Sequence, residues 1–107
     1  MCCLTTRPPP GREAKFAVME PKRGLFAGGG TTVRLPRQIP WAQAMEFLLC
    51  ADLVPAALAL EMGLLNAVVP RDDLLDAARA YAQRFIVNPP LALHATKQRA
   101  LPGLYFR

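Results

Sequence analysis

One carboxylate and a run of glycines are the residues with the clearest chemical potential, and both lie in MEPKRGLFAGGGTTVRLPR, residues 19–37. Glu20 stands among several bases, and a carboxylate can act as a general acid or base when its pocket is partly closed to water. The nearby glycines are Gly24, Gly28, Gly29 and Gly30. They could form a phosphate-binding loop, a support for that carboxylate, or only a turn. Each possibility makes its own demand on the neighbouring residues.

Two common phosphate-binding fingerprints do not fit these glycines. A P-loop needs a lysine directly after its second glycine, and with Gly24 and Gly29 as the spaced pair that position is Gly30. A dinucleotide-binding fingerprint that starts at Gly28 requires a small residue where the sequence has Val33. The glycines therefore favour a turn that needs positive φ over a phosphate site.

The charge of the chain is placed unevenly. The formal net charge is +5, and residues 1–37 carry all of this excess, with seven Lys or Arg against two Glu. A basic segment can attract nucleic acid, an anionic membrane surface or a phosphorylated ligand. Only Phe16 and Phe26 are available there for base stacking, so the sequence does not favour nucleic-acid binding.

Length and cysteine content limit the class of protein. The 107 residues are 52% hydrophobic, enough for one small domain or for part of a larger one. No apolar stretch reaches the ~18 residues of a membrane span. Cys2, Cys3 and Cys50 show no CxxC spacing and follow no signal peptide. These features predict a cytoplasmic protein with reduced thiols, no membrane association and no bound metal.

The first half of the chain is predicted to be poor in regular structure. Residues 1–13, MCCLTTRPPPGRE, contain three successive prolines and no periodic pattern, which indicates an irregular basic arm. AKFAVM, residues 14–19, is short, apolar and bounded by charge, as is typical of a strand. After the glycines, Thr31 or Thr32 is expected to cap a short helix that ends near Arg37.

The second half is predicted to be mainly helical. Trp41, Met45, Leu48 and Leu49 have helical spacing after Pro40, which predicts a helix facing the core. The starts of three further helices are marked by Pro55, by the pair Asp72 and Asp73, and by Pro90. Between the first and second of these lie a terminating Gly63 and a short strand, LLNAVV. The last helix is expected to end at LPG, residues 101–103.

Several segments, read in order, resemble the crotonase superfamily of enoyl-CoA hydratases and isomerases. Phe16, Glu20 and Gly24 occupy the spacing of that family's F-x-x-P-E-x-x-x-G segment, and GGGTTVRLPR resembles its glycine turn and following helix. AMEFLLCADLVPAALALEMGLLNAVVP is similar to the pattern A-M-E-L-x-L-T-G-x-x-[IV]-x-A-x-x-A-x-x-x-G-L-[VI]-N-x-V-V-P. The resemblance covers about residues 14–100, and such a series is far more specific than any single motif.

The resemblance implies a fold, a substrate and partners. The expected fold is α/β and mainly helical: the C-terminal half of a crotonase-like spiral of ββα units with short strands, over residues 14–107. The substrate would be an acyl-CoA thioester, and coenzyme A is part of it, so no separate cofactor is expected. The family's helices also build a trimer interface, which implies a homo-oligomer or association with complete homologues.

The resemblance also implies roles for the residues of the opening segment. Glu20 falls on one of two catalytic glutamates; in hydratases one carboxylate orients a water and takes its proton, while the other exchanges a proton with the substrate carbon. Gly24, Gly28, Gly29 and Gly30 would let the backbone pass close to the acyl pocket. The alternative is that Glu20 is a surface acid paired with Lys22 or Arg23.

The sequence departs from the family pattern around and before Glu20. Met19 replaces the usual proline, and Pro21 follows the glutamate instead. The second glutamate and both backbone N–H donors of the oxyanion hole belong upstream of the first matching residue, and residues 1–13 do not resemble them. We therefore expect a truncated enoyl-CoA hydratase/isomerase-like protein that is inactive alone, or alternatively a non-catalytic fragment that associates with complete homologues.

Overall fold

The computed structural model describes residues 4–7 and 14–105, with side chains over residues 14–102. The strands are β1, Leu4–Arg7; β2, Lys15–Phe16; β3, Val54–Pro55; and β4, Ala67–Pro70. The helices are α1, Thr31–Gln38; α2, Trp41–Cys50; α3, Ala56–Glu61; α4, Leu74–Ile86; and α5, Pro90–Tyr105. Short 3-10 helices span Glu20–Arg23 and Arg71–Asp73. Helices thus dominate the described residues, as predicted.

The strands form two separate two-stranded sheets. β1 pairs in parallel with β4, with Leu4 opposite Ala67, and β2 pairs antiparallel with β3. The prediction of an irregular arm over residues 1–13 is therefore wrong at Leu4–Arg7. The parallel pairing of β1 depends on β4, which lies about sixty residues away in the chain, so no local sequence pattern indicates it. Residues 1–3 and 8–13 of that predicted arm lie outside the described residues.

The core lies among α1, α2 and α3 and the β2–β3 sheet. β2 confirms the strand predicted within residues 14–19, although it is shorter than the apolar run. The buried side chains of this core are Val18, Ala27, Leu35, Ile39, Ala44, Phe47, Leu48, Val54, Ala56, Ala59, Met62 and Leu65. The core thus holds together the segment that carries Glu20 and the helices that follow it.

The buried face of α2 differs from the predicted one. Ala44, Phe47 and Leu48 are buried, whereas Trp41 and Leu49 are 68% and 71% exposed. Met45 is half-buried between them. On a helix, positions 41, 45 and 49 form one row and the buried positions form the adjacent row. The helix is therefore apolar over two rows of side chains: one row is buried, and in the other only Met45 packs partly against the core.

The last two helices pack loosely. α4 contacts β1 and β4, yet none of its side chains is buried. α5 contacts α1 and continues through Pro102 to Tyr105, so the prediction that LPG ends this helix is wrong. Pro102 removes the amide that would bond to the Gln98 carbonyl, but one turn of helix still follows it. Across the described residues, no helix is long and apolar enough to cross a membrane.

Candidate functional site

Glu20 is the first residue of the 3-10 helix Glu20–Arg23 and is half-buried. Its carbonyl oxygen accepts a hydrogen bond from the Leu25 amide at 3.1 Å. Gly24 ends the turn with φ of 73°, and its amide donates to the Pro21 carbonyl at 3.1 Å. Pro21 fits this position because proline has no backbone N–H to donate, and an N–H in the first turn of a helix would have no intrahelical acceptor. The departure of Met19 and Pro21 from the family pattern is thus accommodated in a tight turn.

The Glu20 carboxylate has no partner among the described residues. An ion pair between Arg79 and Asp76, at 3.7 Å, lies on the exposed surface of α4 and does not involve Glu20. The pairing of Glu20 with Lys22 or Arg23, on which the alternative interpretation depended, is not made in that part of the chain. A half-buried carboxylate without a protein partner is available to accept a proton or to bind water.

The glycine turn opens α1. Gly30 has φ of 84° and caps the helix; its carbonyl accepts hydrogen bonds from the amides of Val33 at 3.1 Å and Arg34 at 2.9 Å. Since no side chain caps α1, the predicted capping role of Thr31 or Thr32 is wrong: both lie within the first turn. This turn requires Gly30 to adopt the left-handed backbone conformation, which glycine does at no steric cost.

Space around the glycines differs from one position to the next. A Cβ added at Gly30 would lie 3.3 Å from Nε of Arg34. A Cβ at Gly24, Gly28 or Gly29 would meet no described atom within 4 Å. Open space therefore borders most of the glycine turn, and conformation rather than crowding accounts for Gly29, whose φ is 63°.

The predicted site residues fall into two groups along the chain. Glu20 and Gly24 belong to one turn, whereas Gly28, Gly29 and Gly30 begin α1. Residues 25–27 connect the two groups; Ala27 is buried and Phe26 is 84% exposed. The buried alanine anchors the connection in the core, which fixes the position of both groups on one side of it.

A cleft that the sequence analysis missed lies at the end of α4. It encloses about 460 Å³ and is lined by Asn66, Tyr81, Arg84, Phe85 and Asn88. The Arg84 guanidinium lies 5.3 Å from the centre of the Tyr81 ring, and Asn88 Nδ2 donates to the Arg84 carbonyl at 3.1 Å. None of the predicted site residues lines this cleft. The spacing of Tyr81, Arg84 and Phe85 on one face of α4 was the available signal, whereas Asn88 lies beyond the end of the helix.

Potential metal ligands are dispersed over the described residues. Among the described residues, no three His, Cys, Asp or Glu side chains lie close enough to hold a metal ion. Cys50 is exposed as a free thiol at the end of α2. The chemistry that this part of the chain offers is therefore that of a carboxylate beside a backbone turn.

Curated proteins similar to this chain are CoA-thioester hydratases and dehydratases. The (E)-benzylidenesuccinyl-CoA hydratase of Thauera aromatica is 43% identical over 90 residues, which are 84% of this chain and 35% of the relative. An enoyl-CoA hydratase of Mycobacterium tuberculosis is 44% identical over 85 residues, 79% of this chain and 32% of the relative. The chain thus spans about a third of the length of the curated relatives it matches.

Solved structures show the same relationship. An enoyl-CoA hydratase from Mycobacterium tuberculosis superimposes with a TM-score of 0.83 at 41% identity, covering 95% of this chain and 38% of that one. A putative enoyl-CoA hydratase/isomerase from Mycobacterium abscessus gives a TM-score of 0.85 at 34% identity, covering 100% and 42%. The expected partial crotonase-like fold is confirmed. The family model for enoyl-CoA hydratase/isomerase matches residues 10–101, and the chain belongs to that family.

Proposed function

We propose that this chain contributes one catalytic carboxylate, that of Glu20, to a site that acts on 2-enoyl-CoA thioesters by water addition or double-bond isomerisation. The observation that carries the proposal is a half-buried carboxylate without a partner among the described residues, at the family's glutamate spacing and inside the matched region. Because the chain spans about a third of its relatives, the activity belongs to the site as completed by further residues.

In this proposal Glu20 orients a water molecule or exchanges a proton with the substrate carbon. The turn closed by Gly24 holds the carboxylate, Gly28 and Gly29 leave space beside the acyl group, and Gly30 makes the left-handed turn into α1. General acid–base catalysis contributes typically 10²- to 10⁴-fold. Stabilisation of the enolate by an oxyanion hole is usually the larger effect. Coenzyme A enters as part of the substrate, so no separate cofactor is required.

The 107-residue chain alone is expected not to hydrate a short 2-enoyl-CoA. Glu20 could move a proton, but the donors that stabilise the thioester enolate lie outside the segment that resembles the family. Loss of the ultraviolet absorbance of the conjugated thioester measures the reaction directly. Turnover by the purified chain that is abolished by Glu20→Gln would contradict this expectation.

A chimera tests the role of Glu20. Residues 14–101 replace the matching segment of the solved Mycobacterium tuberculosis enoyl-CoA hydratase, and the hydration rate is measured with Glu20→Gln and with Glu46→Gln. Glu46 is the matched control because it is an exposed glutamate on α2. We expect kcat to fall at least ~100-fold for Glu20→Gln, since proton transfer is lost, and less than ~3-fold for the control. A folded chimera that is inactive, or insensitive to Glu20→Gln, would refute the proposal.

A second candidate function is that of a non-catalytic fragment that associates with complete homologues. The observation that favours it is the pair of exposed apolar side chains Trp41 and Leu49, which flank the partly buried Met45 on one row of α2. Large exposed apolar side chains on one face of a helix are typical of a protein contact. A cytoplasmic, reducing setting is part of both proposals and agrees with the exposed free thiol of Cys50. Labelled chain that fails to enter the oligomers of a complete homologue would contradict this candidate.

A further inference from the structure

The cleft at the end of α4 has the composition of a small-molecule site. It encloses about 460 Å³, and ligand-binding clefts in proteins measure roughly 300–1,000 Å³. Two aromatic rings, one guanidinium and two amides line it; they belong to Tyr81, Phe85, Arg84, Asn66 and Asn88. No carboxylate is among the described residues of its lining. A cation beside apolar walls, without a competing acid, favours an anionic ligand that has an apolar part.

Arg84 is the charged group of the cleft, and an aromatic ring holds its guanidinium. The central carbon of the guanidinium lies 5.3 Å from the centre of the Tyr81 ring, which is a cation–π distance. Among the described residues no carboxylate pairs with Arg84. A guanidinium presents its N–H donors as a planar fork that matches the two oxygens of a carboxylate. Because the ring contact restricts this side chain, a ligand would meet a guanidinium that is already positioned.

Asn88 fixes the part of the wall that the end of α4 forms. Its backbone amide donates to the Phe85 carbonyl at 3.0 Å, and its Nδ2 donates to the Arg84 carbonyl at 3.1 Å. Carbonyl groups at the end of a helix carry a partial negative charge that repels an anion when they are unpaired. Since two of these carbonyls are hydrogen-bonded, the helix end opposes an anion less, and the guanidinium sets the charge preference of the cleft.

The two aromatic side chains determine which apolar group fits. Tyr81 is half-buried and Phe85 is 45% exposed. They are four residues apart on α4, so they lie on the same face of the helix. A planar ring gains stacked or edge-to-face contacts with such side chains, whereas a hydrated inorganic anion gains none. The cleft therefore suits an aromatic carboxylate better than it suits phosphate.

We propose that the cleft lined by Asn66, Tyr81, Arg84, Phe85 and Asn88 is a binding site for a small aromatic carboxylate. The carboxylate group binds the Arg84 guanidinium, and the ring lies against Tyr81 and Phe85. The cleft has no lining residue in common with the Glu20 turn or the glycine turn. Binding of this ligand is therefore measured separately from turnover of a CoA thioester.

Benzoate is the probe, and saturation-transfer NMR on the full 107-residue chain measures its binding whether or not the chain self-associates. We expect saturable binding with a dissociation constant of about 1 mM, as for other ligands of this size. Benzamide has the same shape without the charge and should bind at least ~10-fold more weakly. Inorganic phosphate has the charge without the ring, so its dissociation constant as a competitor should also be at least ~10-fold higher. No saturable binding, or equal binding of either control compound, would overturn the proposal.

Two substitutions on α4 locate the site. Arg84→Gln and Arg79→Gln each remove one positive charge from the same helix, but Arg79 lies outside the cleft and its side chain is 76% exposed. We expect the dissociation constant of benzoate to rise at least ~10-fold for Arg84→Gln and less than ~3-fold for Arg79→Gln. Phe85→Ala should raise it at least ~3-fold, because a ring contact is lost. All three side chains are exposed, so the variants should fold. Equal effects of the two glutamines would show that net charge alone attracts benzoate, and would overturn the proposal.

Discussion

At the scale of single residues, sequence spacing predicts which side chains belong to the site. Whether each of them is paired with another side chain depends on contacts in the folded chain. The position of Glu20 at the start of a turn follows from its proline and from Gly24, both of which are visible in the sequence. The lack of a partner for its carboxylate does not follow, because Lys22 and Arg23 are close in sequence but form no ion pair with it in the described chain. Local spacing fixes backbone geometry more firmly than the direction of long charged side chains.

Gly30 should be the least replaceable residue of the glycine turn. Its φ is 84°, and an added Cβ would lie 3.3 Å from Arg34. Gly30→Ala should lower the free energy of unfolding by about 1–2 kcal/mol, since a left-handed conformation is strained for any residue with a Cβ. Gly28→Ala is the matched control, because that residue has no positive φ and open space around it. Urea unfolding of both variants measures the difference; equal midpoints would show that the turn is not conformationally demanding.

At the scale of elements, the sequence predicts all five described helices and two of the four described strands, β2 and β4. Each of α1 to α5 was expected, because prolines, aspartates and apolar spacing within the element indicate where a helix starts. β1 was missed, since its pairing with β4 joins distant parts of the chain. The buried row of α2 was displaced from the predicted one, because sequence shows that two rows are apolar but not which row meets the core. The cleft at the end of α4 was missed because it also depends on Asn66, which is distant from α4 in the sequence.

The end of α2 offers a test of helix termination. Ala51 has φ of 53° and no exposed surface, and the family pattern has glycine at this position. Ala51→Gly loses a buried methyl, worth about 0.8 kcal/mol, but releases a left-handed strain of about 1–2 kcal/mol. The variant should therefore unfold within about 1 kcal/mol of the wild type.

Ala59 provides the control for that test, because it is equally buried but lies inside α3. Ala59→Gly loses the same methyl and also the helix propensity of alanine, so it should cost about 2 kcal/mol. The two free energies of unfolding can be compared in one set of urea titrations. If Ala51→Gly proved as destabilising as Ala59→Gly, the strain assigned to Ala51 would be absent.

At the scale of the whole molecule, few side chains of the described residues are completely buried. Among the described residues, the side chains with no exposure at all are alanines, at positions 44, 51 and 59. The principal extents of 47 × 41 × 20 Å describe a flat molecule. A core only a few side chains deep leaves little apolar burial to offset the conformational entropy of folding. Contact with further polypeptide would add to this burial.

The last prediction concerns association of the chain. Leu49 and Trp41 are exposed apolar side chains on one row of α2, so in dilute buffer the purified chain should self-associate or bind a complete homologue. Sedimentation over a concentration series should give a mass above 11.7 kDa that rises with concentration. Leu49→Glu should weaken self-association at least ~10-fold, because it places a charge in the contact.

Leu75→Glu is the matched control, since this leucine is 68% exposed, against 71% for Leu49, but lies on α4 rather than on α2. If exposure alone drove association, the two substitutions would act equally. If the α2 row is the contact, only Leu49→Glu should lower the sedimenting mass. A monomer of 11.7 kDa that persists at every concentration and unfolds cooperatively would contradict the association, because α1, α2 and α3 would then close a sufficient core by themselves.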